Sequence, residues 1–133
     1  MSPHAHGRAM TVGLLLALAT WPLWMLVGEE EHRLLAGLLL SGIGAAYVGF
    51  AIADGRSSAI VVQAISALLF TTVAFVGIQT GHDWILGLGF VGHGLWDWLH
   101  HSDHGPTHVR TWYPPFCAVA DTTLALPLLL GFA

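Results

Sequence analysis

The sequence predicts an all-α integral membrane bundle of five transmembrane helices, on three observations. Of its 133 residues, 55% are hydrophobic and only 9% are charged, where a soluble domain carries about 25% charged residues. Short polar stretches cut the chain into apolar runs, each near the ~20 residues an α-helix needs to cross ~30 Å of hydrocarbon. The runs are apolar on all sides and do not alternate, which argues against membrane strands.

The first run covers residues 11–28 and stops at Glu29-Glu30-Glu31. Arg8 before an apolar stretch also suits a secretory leader, but "WPLWMLVG" offers no small-residue cleavage site, so a retained helix is expected. His4 and His6 fall in a terminal tail expected to be disordered. The second run covers 34–53 and ends at Asp54-Gly55-Arg56. Glu31, His32 and Arg33 open it, where acids complement a helix N-terminus. Gly37, Ser41, Ala45 and Gly49 form a stripe of small residues along it, suited to close packing inside the monomer or, alternatively, to a homodimer interface. The third run covers 58–78, with Ser57 and Ser58 as N-caps and with Gln63 and Ser66 able to bond neighbouring helices. The fourth covers 84–101. The fifth covers 114–133 and carries Pro114-Pro115 in its first turn, where a missing N–H is harmless.

All four cationic residues are arginines. Arg8, Arg56 and Arg110 share one side of a five-span topology and Arg33 lies on the other. The positive-inside rule then places the N-terminus in the cytoplasm and the protein in the cytoplasmic (inner) membrane. Trp21, Trp24 and Trp84 fall near the outer helix ends, and Trp98, Trp112 and Tyr113 near the inner ends, as aromatic belts require. The expected partner is thus the lipid bilayer. Nucleic acid is excluded, because no basic patch exists to neutralise phosphates. The lone Cys117 forms no intrachain disulfide and says nothing of compartment.

The fourth run ends in "HGLWDWLHH", residues 93–101. At about 100° per residue, His93, Asp97, His100 and His101 fall on one helix face. Ionisable groups inside a membrane are costly unless paired or wet, so this face points towards other helices. In the fifth run, Cys117 and Asp121 share a face, and Asp121 lies at the depth of Asp97 on the antiparallel neighbour. Imidazoles and carboxylates at one depth suit a divalent metal ion, zinc or iron. His93, Asp97, His100, His101 and Asp121 are the candidate ligands, and Asp97 and Asp121 the candidate catalytic carboxylates. His93 and Asp97, one turn apart, resemble the chelating pair of zinc-binding metalloprotease helices. The box also distantly resembles those of membrane di-iron hydroxylases and desaturases, which need many more histidines. Other readings of the same residues are a self-satisfied His93–Asp97 pair, interfacial solvation of His100, His101, His104 and His108, and pairing of either aspartate with Arg110. At the opposite end, Glu29, Glu30, Glu31, His32, Arg33, His82 and Asp83 form either solvated loops or an ion-entry vestibule.

Several of these stretches together resemble a family of small bacterial integral membrane proteins classed as a domain of unknown function. They are Glu30 or Glu31 with His32-Arg33, "GIGAAY" from Gly42 to Tyr47, Trp96-Asp97 with His100-His101, and Cys117 with Asp121. The likeness spans about residues 29–126. His93, followed by Gly94-Leu95-Trp96, stands close to the register of the family's first box histidine, which directly precedes a residue-glycine-Trp-Asp stretch. The resemblance implies five helices and a shared polar site, and no activity.

The first functional expectation is an intramembrane metal-dependent enzyme acting on a lipid, isoprenoid or other hydrophobic substrate, by metal-activated water or by iron oxidation. The second is a binder or transporter of metal ions or protons. A haem held by two histidines is a third, although His93 and His100 on one helix are badly placed to serve opposite haem faces. A structural subunit of a larger membrane complex is the fourth.

Overall fold

The computed structural model describes residues 3–102 and 104–131. The chain is all-α, with five helices: α1 (Pro3–Met25), α2 (Glu29–Asp54), α3 (Ser57–Thr80), α4 (Asp83–His100) and α5 (Tyr113–Leu130). Residues 132 and 133, the end of the expected fifth run, lie outside the described residues. Four helices, α1, α2, α3 and α5, are long and apolar enough to cross a membrane. The exception is α4, the helix that carries His93 and Asp97.

Helix ends depart from the hydropathy runs for local reasons. The tail expected to be disordered is the start of α1: His6 sets its ring edge-on to His101, 5.0 Å between centroids, so a tertiary contact holds it. α2 begins at Glu29 because three glutamates in its first turn complement the helix dipole. Gly55 and Gly81, at φ of 80° and 69°, end α2 and α3 in the left-handed region that suits glycine. The α2–α3 turn is so short that Arg56, not Ser57, stands at the N-cap of α3, without a capping side-chain bond. The Arg56 guanidinium instead donates to Asp54 at 2.6 and 2.8 Å. Asp54 also accepts the His108 backbone N–H at 2.7 Å, which ties the α4–α5 loop to this turn.

α4 packs against α5, α3 and α2, while α1 lies along α5. The close approach of α4 depends on glycine. A Cβ on Gly89 would strike the Leu40 side chain of α2, and one on Gly87 would strike Leu129 of α5. The buried face of α2 runs through His32, Ala36, Leu40, Gly44, Tyr47 and Ala51. Of the small-residue stripe, Gly37 is buried against Ile78 of α3, while Ala45 and Gly49 are exposed. Large apolar side chains such as Leu16, Leu38 and Leu68 face outward. Such an extensive exposed apolar surface suits a membrane protein. The proximal end holds the N-terminus, the α2–α3 turn and the α4–α5 loop. The distal end holds the α1–α2 and α3–α4 turns.

Candidate functional site

Three helices bring four polar side chains together in one cluster in the core. α4 supplies His93 and Asp97, both 0% exposed, α5 supplies Asp121 at 2%, and α2 supplies Tyr47 at 0%. Nδ1 of His93 is hydrogen-bonded to Oδ2 of Asp121 at 2.6 Å and stands 3.4 Å from Oδ2 of Asp97. The Tyr47 hydroxyl donates to Oδ1 of Asp97 at 2.6 Å. Among the described residues, Oδ2 of Asp97 and Nε2 of His93 have no hydrogen-bond partner. One ligand atom from each of His93, Asp97 and Asp121 lies within 4.8 Å of the others. Two carboxylates facing one imidazole in a dry core are not balanced as they stand. A shared proton or a cation restores the balance. Phe70 of α3 closes the cluster on one side, its ring edge-on to His93 at 4.8 Å.

His100 belongs to a second network. Its Nδ1 bonds the carbonyl of Trp96 at 2.8 Å, which makes Nδ1 the protonated nitrogen and leaves Nε2 as an acceptor. Gln63 of α3 fills that acceptor at 2.7 Å and also donates to Thr107 at 2.8 Å. The Trp96 indole donates to the Gln63 carbonyl oxygen at 3.2 Å. With both ring nitrogens engaged, His100 is a structural bridge from α4 to α3 and the α4–α5 loop. His101 follows the helix, is exposed, and stacks on Trp98 at 5.5 Å. Thus, of these two expected ligands, His101 stands apart from the His93 cluster, while His100 touches it through the Tyr47 ring, 4.5 Å between centroids, with both ring nitrogens engaged elsewhere. A helical projection aligns His93 with His100 but hides an axial separation of about 10 Å. Arg110 is exposed, and the two aspartates take Tyr47 and His93 as partners instead. Cys117 is buried one turn before Asp121.

The distal end is different. Arg33 donates to Asp83 at 2.8 Å, and Glu29, Glu30 and Glu31 are exposed. His32 is buried against Trp24, 4.8 Å between rings, with neither ring nitrogen bonded among the described residues. Between this end and the His93 cluster, the buried residues of α2 are Ala36, Gly37, Leu40 and Gly44. Those of α4 are Leu86, Gly87, Gly89 and Phe90. The two polar regions are therefore separated by apolar packing on both helices.

Sequence reasoning passed over Tyr47 and Thr107 as site residues and rated Gln63 only as a mild polar group. Their partners lie 50, 44 and 37 residues away, beyond any local periodicity. The signal at hand was a tyrosine on the small-residue helix and an amide in an otherwise apolar run.

Fold and site together define a small all-α protein, with membrane-capable helices around a buried His/Asp cluster. The chain belongs to DUF6010, a family of unknown function, which it matches over residues 8–132. Neither a curated protein nor a solved structure matches it.

Proposed function

We propose that the chain is an integral membrane protein whose His93, Asp97 and Asp121 hold a divalent metal ion, zinc or iron, for chemistry on a hydrophobic substrate. The observation that carries this reading is the convergence of three ligand atoms within 4.8 Å in the core. Tyr47 supports it by holding Oδ1 of Asp97 and leaving Oδ2 free, the way outlying hydrogen bonds orient metal-bound carboxylates. A divalent cation also balances the two carboxylates. One imidazole and two carboxylates make a mixed N/O set. Three protein ligands leave a coordination position for water or substrate, as in catalytic zinc sites. In this arrangement Asp97 and Asp121 are ligands first, and the metal supplies either water activation or, if iron, oxidation.

Transport of ions or protons is the second reading. The apolar packing between the two polar regions favours a one-sided site over a relay. Arg8, Arg56 and the α4–α5 loop with Arg110 gather at the proximal end, which orients that end to the cytoplasm of an inner-membrane protein. The exposed Ala45 and Gly49 leave α2 a surface for a second copy.

The test is metal content of the detergent-purified protein, beside Asp97→Asn and Asp121→Asn. Near-stoichiometric metal that both variants lose, with helical content and thermal stability kept, is the expected result. Its identity decides between hydrolytic and oxidative chemistry. A wild type that holds neither zinc nor iron(II) after reconstitution ends the metal reading.

A further inference from the structure

A cleft of about 790 Å³ opens between α3 and α4, within the ~300–1,000 Å³ typical of small-molecule sites. Trp84 and Trp96, on α4, both line it. They lie about 18 Å apart along the helix axis. One leaflet of hydrocarbon is about 15 Å deep, half the ~30 Å core, so the cleft is long enough to take most of an acyl chain.

Three features separate this cleft from ordinary lipid-facing surface. Ser66, only 7% exposed, lines it, and the Ser66 hydroxyl makes no hydrogen bond among the described residues. Gly92 leaves part of the wall bare, where a Cβ would meet only Phe70, at an ordinary 3.8 Å. Most telling, the cleft shares walls with both polar networks. Phe70 lines it and touches His93, and Trp96 lines it and donates to Gln63. The Phe70 ring thus stands between the apolar cleft and the His93 imidazole.

We propose that this cleft binds one unbranched acyl chain of a membrane lipid, with the ester carbonyl accepting the Ser66 hydroxyl, and presents that ester to the His93 cluster past Phe70. The Ser66 hydroxyl is a buried donor without a partner among the described residues in an otherwise apolar wall, which suits the polar acceptor at the head of an acyl chain. The straight span between the two tryptophans fits an unbranched chain. Presentation rests on the metal-site reading; binding in the cleft does not.

The experiment uses phosphatidylglycerol carrying a diazirine on one acyl chain, photolysed with the full-length protein in proteoliposomes and mapped by peptide mass spectrometry. Label is expected to concentrate on cleft residues such as Ile65, Leu69 and Leu88. Gly92→Leu, which fills the cleft where a Cβ has room, is expected to cut that label roughly tenfold while label on the exposed Leu15 and Leu16 of α1 stays constant. Ser66→Ala removes a single oxygen and is expected to weaken cleft labelling severalfold, which tests the proposal even if Gly92→Leu does not fold. Even labelling of all outward leucines, unmoved by either variant, overturns it. Stronger cleft labelling by a diazirine polyprenol overturns the acyl assignment. Metal content of the same samples separates the two readings: cleft labelling without metal removes only the presentation step, and metal without cleft labelling removes only the cleft.

Discussion

α2 and α4 are tied together twice, and the two ties differ in almost everything except register. Arg33 meets Asp83 at the distal end and Tyr47 meets Asp97 in the core, each pair 50 residues apart in sequence. The ties are therefore equally spaced on both helices, about 21 Å along each axis, as parallel neighbours in constant register require. At the distal tie the side chains are 15% and 20% exposed. In the core, Asp97 and Tyr47 are 0% exposed. Water reaches the first and screens it. It does not reach the second, where a carboxylate oxygen and an imidazole nitrogen are left unpartnered. Both ties end on an aspartate of α4, but only the dry one combines a buried anion with unused ligand atoms. Environment, more than residue type, decides which aspartate has chemistry available.

Substitutions can break this contrast in order of size. Gln63→Leu has the largest expected effect on folding, because it strands His100 Nε2, the Thr107 hydroxyl and the Trp96 indole together. At about 1–3 kcal/mol for a buried group left unpaired, with loop water rescuing part of the set, the loss is about 2–4 kcal/mol by thermal or denaturant unfolding in detergent. Tyr47→Phe comes next. It removes the Tyr47 hydrogen bond to Asp97, costs about 1–3 kcal/mol, and weakens metal affinity by roughly 10–100-fold, read by competition with a chelator. Unchanged metal affinity in Tyr47→Phe would mean that Asp97 needs no support from α2. Arg33→Ala is the smallest: about 0.2–1 kcal/mol, shrinking as salt is raised, with metal content untouched. An Arg33 effect as large as that of Tyr47 would erase the distinction between the two ties.

Much of the fold was legible because hydrocarbon demands long unbroken apolar runs, and Glu29-Glu30-Glu31, Asp54-Gly55-Arg56 and Gly81-His82-Asp83 mark where they stop. Within the site, His93 with Asp97 follows from one-turn spacing, and Asp121 from matching depth on the next helix. His100 and His101 were not separable from them, because a helical projection keeps angle and discards height. The role of Tyr47 was hidden for a different reason. Its partner lies two helices away, and only the packing of α2 on α4, through the bare backbone at Gly89, brings the pair together. The glycines of α4 were the overlooked signal, since they permit the contacts that complete the cluster.

The buried His93 and Asp97 of α4 have a consequence for how such a chain would enter a bilayer. Alone in lipid, α4 would carry His93 and Asp97 with no partner from another helix, at a cost of several kcal/mol. The remedy sits on the segment synthesised next: Asp121 of α5 takes up His93, and α5 is the helix against which α4 packs most extensively. The pair is best suited to entering as a hairpin, with the later helix acting as chaperone to the earlier one.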